Sequence, residues 1–276
     1  MKRFLALVLV LALVLAPAAV FAEDTDPVPP AMSGAGIPKQ LTVEYGVAPM
    51  LDFYFAFTAT QEFDGPGPEL DDVVITLGGN VFSGTTNNID YSKFDGFALG
   101  RYVYNVTETV GDVLGVDYNL EGRTGKLYVD VELVEGVRKV TPYLIIGTPE
   151  KGPKYDNFVN AYNAGDLKVT KVVTGNLGKV GDTFEIKIVL TNPTDKVADW
   201  SAVKVNDVLL TEAEISEEGE TVTVVRTVDG DADNTVTITN LPAGVEYEVS
   251  EPNSGDYTVS YANEKGTIVK GEVAEA

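Results

Sequence analysis

The chain has 276 residues, with 42 acidic and 20 basic side chains and neither histidine nor cysteine. Its formal net charge of −22 repels a phosphate backbone, which argues against nucleic-acid binding. Without histidine and cysteine, the common zinc sites, thiol nucleophiles, Ser-His-Asp triads and disulfides are excluded, and no cofactor is implied.

The N-terminus is typical of a secretory signal peptide at residues 1–22. Lys2 and Arg3 supply the positive start, an apolar stretch follows, and a small-residue cleavage site ends at Ala22. The apolar stretch is shorter than the roughly 20 residues that a spanning helix needs. We therefore expect a secreted protein with no membrane segment in its mature form. Residues 23–36, rich in proline, glycine and acids, predict a flexible leader.

Beyond the leader, the chain consists of short runs in which polar and β-branched or aromatic residues alternate. Glycine, aspartate, asparagine and proline separate these runs. Such alternation is typical of β-strands, and its short spacing favours sandwiches over βαβ units. Two stretches, 91–94 and 211–215, indicate helical turns. The predicted strands are 52–60, 72–79, 101–108, 126–134, 167–175, 183–192, 220–228, 234–241, 245–251 and 256–263.

The two halves of the chain share a loose plan. Each half opens with a lysine near the start of a strand, at Lys39 and at Lys171. Each later carries a strand of the form Y-x-V-x-E, which is YNVTE at 104–108 and YEVSE at 247–251. This internal similarity predicts two related β-sandwich domains and an all-β fold.

Three motifs of the first half occur in an informative order: IPKQLTVEYGV (37–47), YVYNVTE (102–108) and FVNAY (158–162). Together they resemble the shaft-pilin family of Gram-positive bacteria, whose Ig-like modules form spontaneous Lys–Asn isopeptide bonds. The resemblance covers nearly the whole mature chain. It implies two tandem Ig-like (CnaB-type) sandwiches, at residues 37–164 and 165–276.

In that family the lysine lies on the first strand, the asparagine on the last, and a glutamate faces both. The resemblance therefore implies a crosslink from Lys39 to Asn160, with Glu108 as the catalytic proton shuttle. An amine attacks a carboxamide only when it is neutral, and burial disfavours its charge. We expect Glu108 to take a proton from Lys39, to donate to the amide oxygen of Asn160, and to shuttle protons as ammonia leaves.

The second half resembles the opening of another such module at LKVTKVVTGN (167–176). Lys171 is then the candidate nucleophile, with Lys168 as an alternative, and Glu251 is the matching proton shuttle. Asn263 is the only late asparagine, and we expect it to lie one strand too early to be the acceptor. The second domain is accordingly expected to lack its last strand, with the sequence ending before that strand and before a wall-sorting tail.

The resemblance implies an exported structural protein of the cell wall, either a pilus shaft subunit or a wall-anchored stalk. Its bond formation is autocatalytic and occurs once, so the protein is not expected to be a turnover enzyme. Sortase would join it to other pilin subunits through a lysine before Asn160, and Lys151 and Lys154 are the candidates.

The alternative function is a surface adhesin that uses the same sandwiches to bind a host ligand. Trp200 would then be the first ligand contact to test, although a buried core tryptophan is the competing interpretation. A third hypothesis, a secreted carboxylate-dependent hydrolase, has no recognisable catalytic pattern to support it.

Overall fold

A computed structural model describes residues 35–86, 88–147, 154–175, 181–230 and 234–276. The predicted signal peptide and nearly all of the predicted leader lie outside the described residues. No helix within the described ranges has the length and apolarity required to cross a bilayer.

The described residues form an all-β structure, as the alternating sequence pattern predicts. Two short 3-10 turns, Tyr91–Phe94 and Glu212–Glu214, occur where helical turns are predicted. The strands are β1 (Ile37–Val43), β2 (Leu51–Ala59), β3 (Val73–Leu77), β4 (Ser83–Thr86), β5 (Gly100–Glu108), β6 (Val116–Tyr118), β7 (Thr124–Val134), β8 (Val137–Gly147), β9 (Lys154–Tyr155), β10 (Phe158–Tyr162), β11 (Ala164–Thr170), β12 (Thr183–Thr191), β13 (Lys204–Val205), β14 (Val208–Leu209), β15 (Thr221–Asp229), β16 (Thr235–Pro242), β17 (Glu246–Ser250), β18 (Lys265–Thr267) and β19 (Val273–Glu275).

The first ten strands build one sandwich of two sheets. The strand order is β4-β1-β10-β6 in one sheet and β3-β2-β5-β7-β8-β9 in the other. The first strand, β1, pairs in parallel with the last strand, β10, so that Lys39 lies opposite Phe158 and Leu41 opposite Asn160. Since side chains on a strand alternate between faces, Lys39 and Asn160 both point into the core between the sheets.

The other nine strands build a second sandwich. Its sheets have the orders β14-β13-β16-β11-β19 and β15-β12-β17-β18. Here too the opening strand, β11, has a late parallel neighbour: the short strand β19, with Lys168 opposite Glu275. β19 thus occupies part of the position that β10 has in the first sandwich.

One strand prediction is wrong. Residues 256–263 alternate polar and apolar side chains, but the structure forms no strand there and begins β18 only at Lys265. Gly255 and Asn263 both have positive φ angles, 58° and 55°, which turn the backbone at either end of the segment. Alternation alone therefore does not make a strand where no neighbouring strand pairs with the segment.

Each sandwich has its own buried apolar core, and a loop of the first reaches into the second. Leu114, between β5 and β6, packs in the second core and is 4% exposed. Its backbone N–H donates to the carbonyl of Val197 at 2.8 Å. At a second contact between the two sandwiches, the N–H of Val47 donates to the side-chain oxygen of Asn240 at 3.0 Å. The two sandwiches are therefore held together by side-chain packing and hydrogen bonds as well as by the chain connection between β10 and β11.

Candidate functional site

Lys39 is a core residue of the first sandwich. It lies between Ile37 and Leu41 on the inward face of β1, and its exposed fraction is 0%. Its Nζ atom lies 4.5 Å from the ring centroid of Phe53 on β2. A fully buried lysine needs a partner, because isolated buried charge is strongly unfavourable.

The partner of Lys39 is Glu108 at the end of β5. Lys39 Nζ lies 2.9 Å from Oε1 and 3.1 Å from Oε2 of this carboxylate. Asn160 Nδ2, projecting from β10, donates to the same Oε1 at 2.5 Å. Glu108 is 2% exposed and Asn160 is 3% exposed. The structure thus brings together the three residues that the motifs single out, although 69 and 52 positions separate the contacting pairs in sequence.

The environment of Lys39 favours the neutral amine. Burial lowers the pKa of Lys39 from 10.5 to about 8, and this effect outweighs the attraction and hydrogen bond of Glu108, which act in the opposite direction. A neutral amine is the nucleophilic form. The pocket therefore makes Lys39 a better nucleophile than an exposed lysine at the same pH.

The carboxamide oxygen of Asn160 has a partner that the sequence did not reveal. The backbone N–H of Asn119, just after β6, donates to Asn160 Oδ1 at 3.1 Å. The carboxylate of Glu108 contacts the amide nitrogen of Asn160 and not this oxygen, so the expected donation from Glu108 to the oxygen stays a prediction. The side chain of Asn119 fixes the turn by accepting from the backbone N–H groups of Glu121 and Gly122, at 3.2 Å and 3.1 Å.

The second sandwich contains a similar lysine–glutamate pair. Lys171 Nζ lies 2.6 Å from Glu251 Oε2 and 4.3 Å from the ring centroid of Phe184. The side chain of Lys171 is 14% exposed, however, whereas that of Lys39 is 0% exposed. The pair borders a cavity of about 390 Å³, and the residues lining that cavity include no asparagine. In its described part, the second site therefore has the amine and the acid but no carboxamide.

The comparisons with known proteins agree with this two-sandwich architecture. Residues 165–276 match a family described as a domain of unknown function, DUF7601. No curated protein matches the sequence. Among solved structures, the major pilin T3.2 of Streptococcus pyogenes serotype GAS13637 is similar over 88% of this chain and 97% of its own, with a TM-score of 0.52 and 20% identity. The major pilin T-13 of serotype GAS131465 has the same coverage and TM-score at 17% identity.

A third similar structure is a mutant of the major pilin of Streptococcus pyogenes in which alanine replaces an asparagine. It has a TM-score of 0.51 and 18% identity, over 88% of this chain and 99% of its own. The chain has the major-pilin fold. The sequence resemblance to shaft pilins is thereby confirmed at the level of fold, and the site residues can be placed within it.

The remaining residues predicted from sequence have varied positions in this pilin fold. Lys168 is exposed, because it lies on the face of β11 opposite to the buried Leu167 and Val169. Asn263 is also exposed and donates to the carbonyl of Glu275. Trp200 is 4% exposed, packs in the second core and donates its indole N–H to the carbonyl of Gly219. The core interpretation of Trp200 is therefore the correct one.

The two candidate sortase lysines cannot be placed in the same way. Lys151 lies outside the described residues. The backbone of Lys154 opens β9, but its side chain falls outside the described part of the structure. Both remain predictions from the sequence.

Proposed function

We propose that this chain is an exported structural protein of the Gram-positive cell surface, a pilus shaft subunit stabilised by an isopeptide bond between Lys39 and Asn160. The observation that carries the proposal is the buried contact of these two residues with Glu108. A buried ion pair is a weak source of stability, so stability alone gives no reason to place an amine, a carboxylate and a carboxamide together there. The fold that the chain shares with solved major pilins supports the structural role.

The geometry supports a single acyl transfer. Lys39 passes a proton to Glu108, and its neutral Nζ attacks the side-chain carbon of Asn160. The negative charge that develops on Oδ1 is stabilised by the backbone N–H of Asn119, which already points at this oxygen. Glu108 then donates this proton to Nδ2, which it already contacts, and takes the second proton that Nζ loses as the amide forms. The carbon–Nδ2 bond breaks, ammonia leaves, and an amide joins Lys39 to Asn160.

The bond would act at the place where tension enters the sandwich. It joins the first strand, β1, to the last strand, β10, which leads directly into β11 of the second sandwich. Force applied along the chain would then load a covalent amide in place of the hydrogen bonds between β1 and β10. The bond also closes the loop of chain from Lys39 to Asn160. By the reasoning used for disulfides, closing so long a loop lowers the conformational entropy of the unfolded chain, which stabilises the fold by roughly 4–5 kcal/mol.

The proposal includes the partners and location that the resemblance implies. The protein is secreted through its signal peptide and joined by sortase to other pilin subunits in the cell wall, through Lys151 or Lys154. Lys171 and Glu251 provide the corresponding amine and acid in the second sandwich. A host ligand belongs to the adhesin alternative, for which no described surface residue offers specific support.

The intact mass of the protein expressed without residues 1–22 tests the crosslink. We expect it to be lower than the sequence mass by one ammonia, with a linked peptide that contains Lys39 and Asn160.

In cells that carry a pilus sortase, we expect covalent ladders that survive sodium dodecyl sulfate. A full sequence mass would refute the crosslink, and a crosslinked protein found only as a single unit on the wall would favour the adhesin.

Replacement of Asn119 tests the role of its backbone N–H. The Asn119→Pro variant loses this donor, whereas Asn119→Ala keeps the donor and loses only the side-chain contacts that fix the turn. We expect the Pro variant to release ammonia about a hundredfold more slowly than the Ala variant after refolding, since loss of one oxyanion donor has effects of that order. Time-resolved intact mass gives the rates, and equal rates in the two variants would exclude this role.

A further inference from the structure

The strand that leads to the proposed oxyanion donor is weakly held by its own sheet. Asn119 directly follows β6, which has only three residues. β6 lies at the edge of its sheet, and within the described chain it pairs with β10 alone. Segments with few contacts open most readily. The position of the Asn119 N–H against Asn160 therefore depends on what holds the start of β6.

The loop before β6 is held by the second sandwich. Residues 109–115 connect Glu108, at the end of β5, to β6. Within this loop, Val113 packs against the first core, whereas Leu114 is buried in the second core. A methyl group of Leu114 lies against Gly244, 3.4 Å from the position that a Cβ there would take. The loop is thus wedged between the two sandwiches.

Backbone hydrogen bonds fix the loop on both sides of Leu114. The N–H of Leu114 donates to the carbonyl of Val197 at 2.8 Å, and the N–H of Val197 donates to the carbonyl of Asp112 at 2.9 Å. This reciprocal pair forms a parallel β-bridge between the sandwiches. Gly115, with a φ of 83°, then turns the chain into β6, and its carbonyl accepts from the N–H of Asn163 at 2.8 Å.

The same loop packs onto the residues of the reaction site. Tyr118, the last residue of β6, lies opposite Asn160 in the β6–β10 ladder. Its phenol group lies so close to Gly111 that a Cβ at this glycine would overlap it. The loop and β6 therefore form one packed unit, with the proposed proton shuttle Glu108 at one end and the proposed donor Asn119 at the other. Release of Leu114 from the second core would displace this unit.

We propose that the second sandwich positions the Asn119 N–H through Leu114, so that the Lys39–Asn160 bond forms rapidly only after the two sandwiches have docked. The inference rests on the proposed function and leaves its chemical steps unchanged. Leu114 contacts none of the reacting atoms and is a positioning residue. Because the N-terminal sandwich is synthesised first, its bond would wait for the second sandwich. The crosslink would then be confined to molecules in which both sandwiches are in place.

Refolding of the chain without residues 1–22 tests the inference, with ammonia loss followed by time-resolved intact mass. We expect Leu114→Ala to slow the loss about tenfold or more, since small displacements of reacting groups have effects of this order. Leu114→Met, which keeps the apolar volume, should restore nearly the original rate. Trp200 is the only tryptophan and lies in the second core, so its fluorescence reports whether that sandwich is folded. If Leu114→Ala lacks the native emission, the milder Leu114→Val replaces it, with a smaller expected slowing.

A second-core variant away from the loop provides the matched control. Ile186→Ala removes as many carbon atoms as Leu114→Ala, and Ile186 is likewise buried in the second core. Ile186 lies near the start of β12, whereas Val197, which contacts Leu114, follows the end of that strand. We expect Ile186→Ala to keep the original rate of ammonia loss.

A double variant distinguishes positioning from a general loss of stability. The Asn119→Pro chain has no donor left to misplace, so adding Leu114→Ala should not slow its reaction further. General destabilisation would slow the reaction by the same factor with or without the donor. That additive result would overturn the inference.

The other outcomes separate this inference from the proposed function. If the unmodified chain keeps its full mass, the proposed function fails. If that chain loses ammonia and Leu114→Ala or Leu114→Val, with native Trp200 emission, loses it equally fast, the positioning role is wrong and the Lys39 bond stands. Equal slowing by Ile186→Ala, or equal rates for Asn119→Pro and Asn119→Ala, would also overturn the positioning role.

Discussion

The Glu108→Gln variant is expected to keep the ammonia that the unmodified protein loses, and to be markedly less stable. Glutamine has nearly the same shape as glutamate but cannot move a proton from Lys39 to the leaving nitrogen of Asn160. The crosslink would therefore not form. Its absence costs roughly 4–5 kcal/mol through loop entropy, and the buried Lys39 also loses its counter-charge, which adds to the destabilisation. Intact mass and denaturant unfolding measure the two effects.

A surface glutamate provides the matched control for this experiment. Glu62 forms an ion pair with Lys126 at 2.5 Å, and its side chain is 43% exposed. Exposed ion pairs contribute about 0–1 kcal/mol, so Glu62→Gln should leave the stability almost unchanged and the ammonia loss complete. If Glu108→Gln still lacks one ammonia, the carboxylate is not the proton shuttle, and the proposed mechanism fails at that step.

The three side chains of the site, Lys39, Glu108 and Asn160, could be predicted from the sequence. Period-2 alternation places Ile37, Lys39 and Leu41 on one face of a strand, and Phe158 and Asn160 on one face of another. A lysine and an asparagine among apolar neighbours on such faces are unusual, and their order relative to Glu108 adds specificity. The fold class follows from the same alternation, since the described chain is almost entirely strands and turns.

The parts that the sequence did not predict depend on tertiary contacts. The proposed oxyanion donor is the backbone N–H of Asn119, a group that every residue except proline carries, so no side-chain pattern identifies it. The only local signal is the NLEG sequence at 119–122, which is typical of a turn. The contact of Lys39 with the ring of Phe53 could not be predicted from the sequence either, because the ring that lies there depends on how the two sheets pack. Residues 256–263 likewise have the alternation of a strand, but the structure places no neighbouring strand there to pair with them.

The two sites show why the same residue types need not give the same chemistry. Lys39 is enclosed by both sheets, and its pKa falls to about 8 because burial dominates. Lys171 lies just beyond the end of β11 and borders an open cavity.

The stability of a protein that cannot form the first bond should rise with pH because of Lys39. In the Asn160→Ala variant the amine stays free. We expect its pKa to stay near the value of about 8 that burial gives Lys39 in this fold, against 10.5 in the unfolded chain. Between these values the unfolded chain binds the proton more strongly than the folded chain, so the free energy of unfolding increases as pH rises. Below about 8 the amine is protonated in both states, and its contribution no longer changes. The full gain is about 3 kcal/mol.

The double variant Asn160→Ala/Lys39→Met isolates this effect from the other lysines and tyrosines that titrate in the same range. It lacks the buried amine, so its stability should not show the additional rise between pH 8 and 10.5. The measurement is the free energy of unfolding in urea at closely spaced pH values, with the difference between the two variants as the readout. The unmodified protein should also lack the rise, because its Lys39 nitrogen has become an amide. Parallel curves for the two variants would show that Lys39 is not held in a pocket that favours the neutral amine.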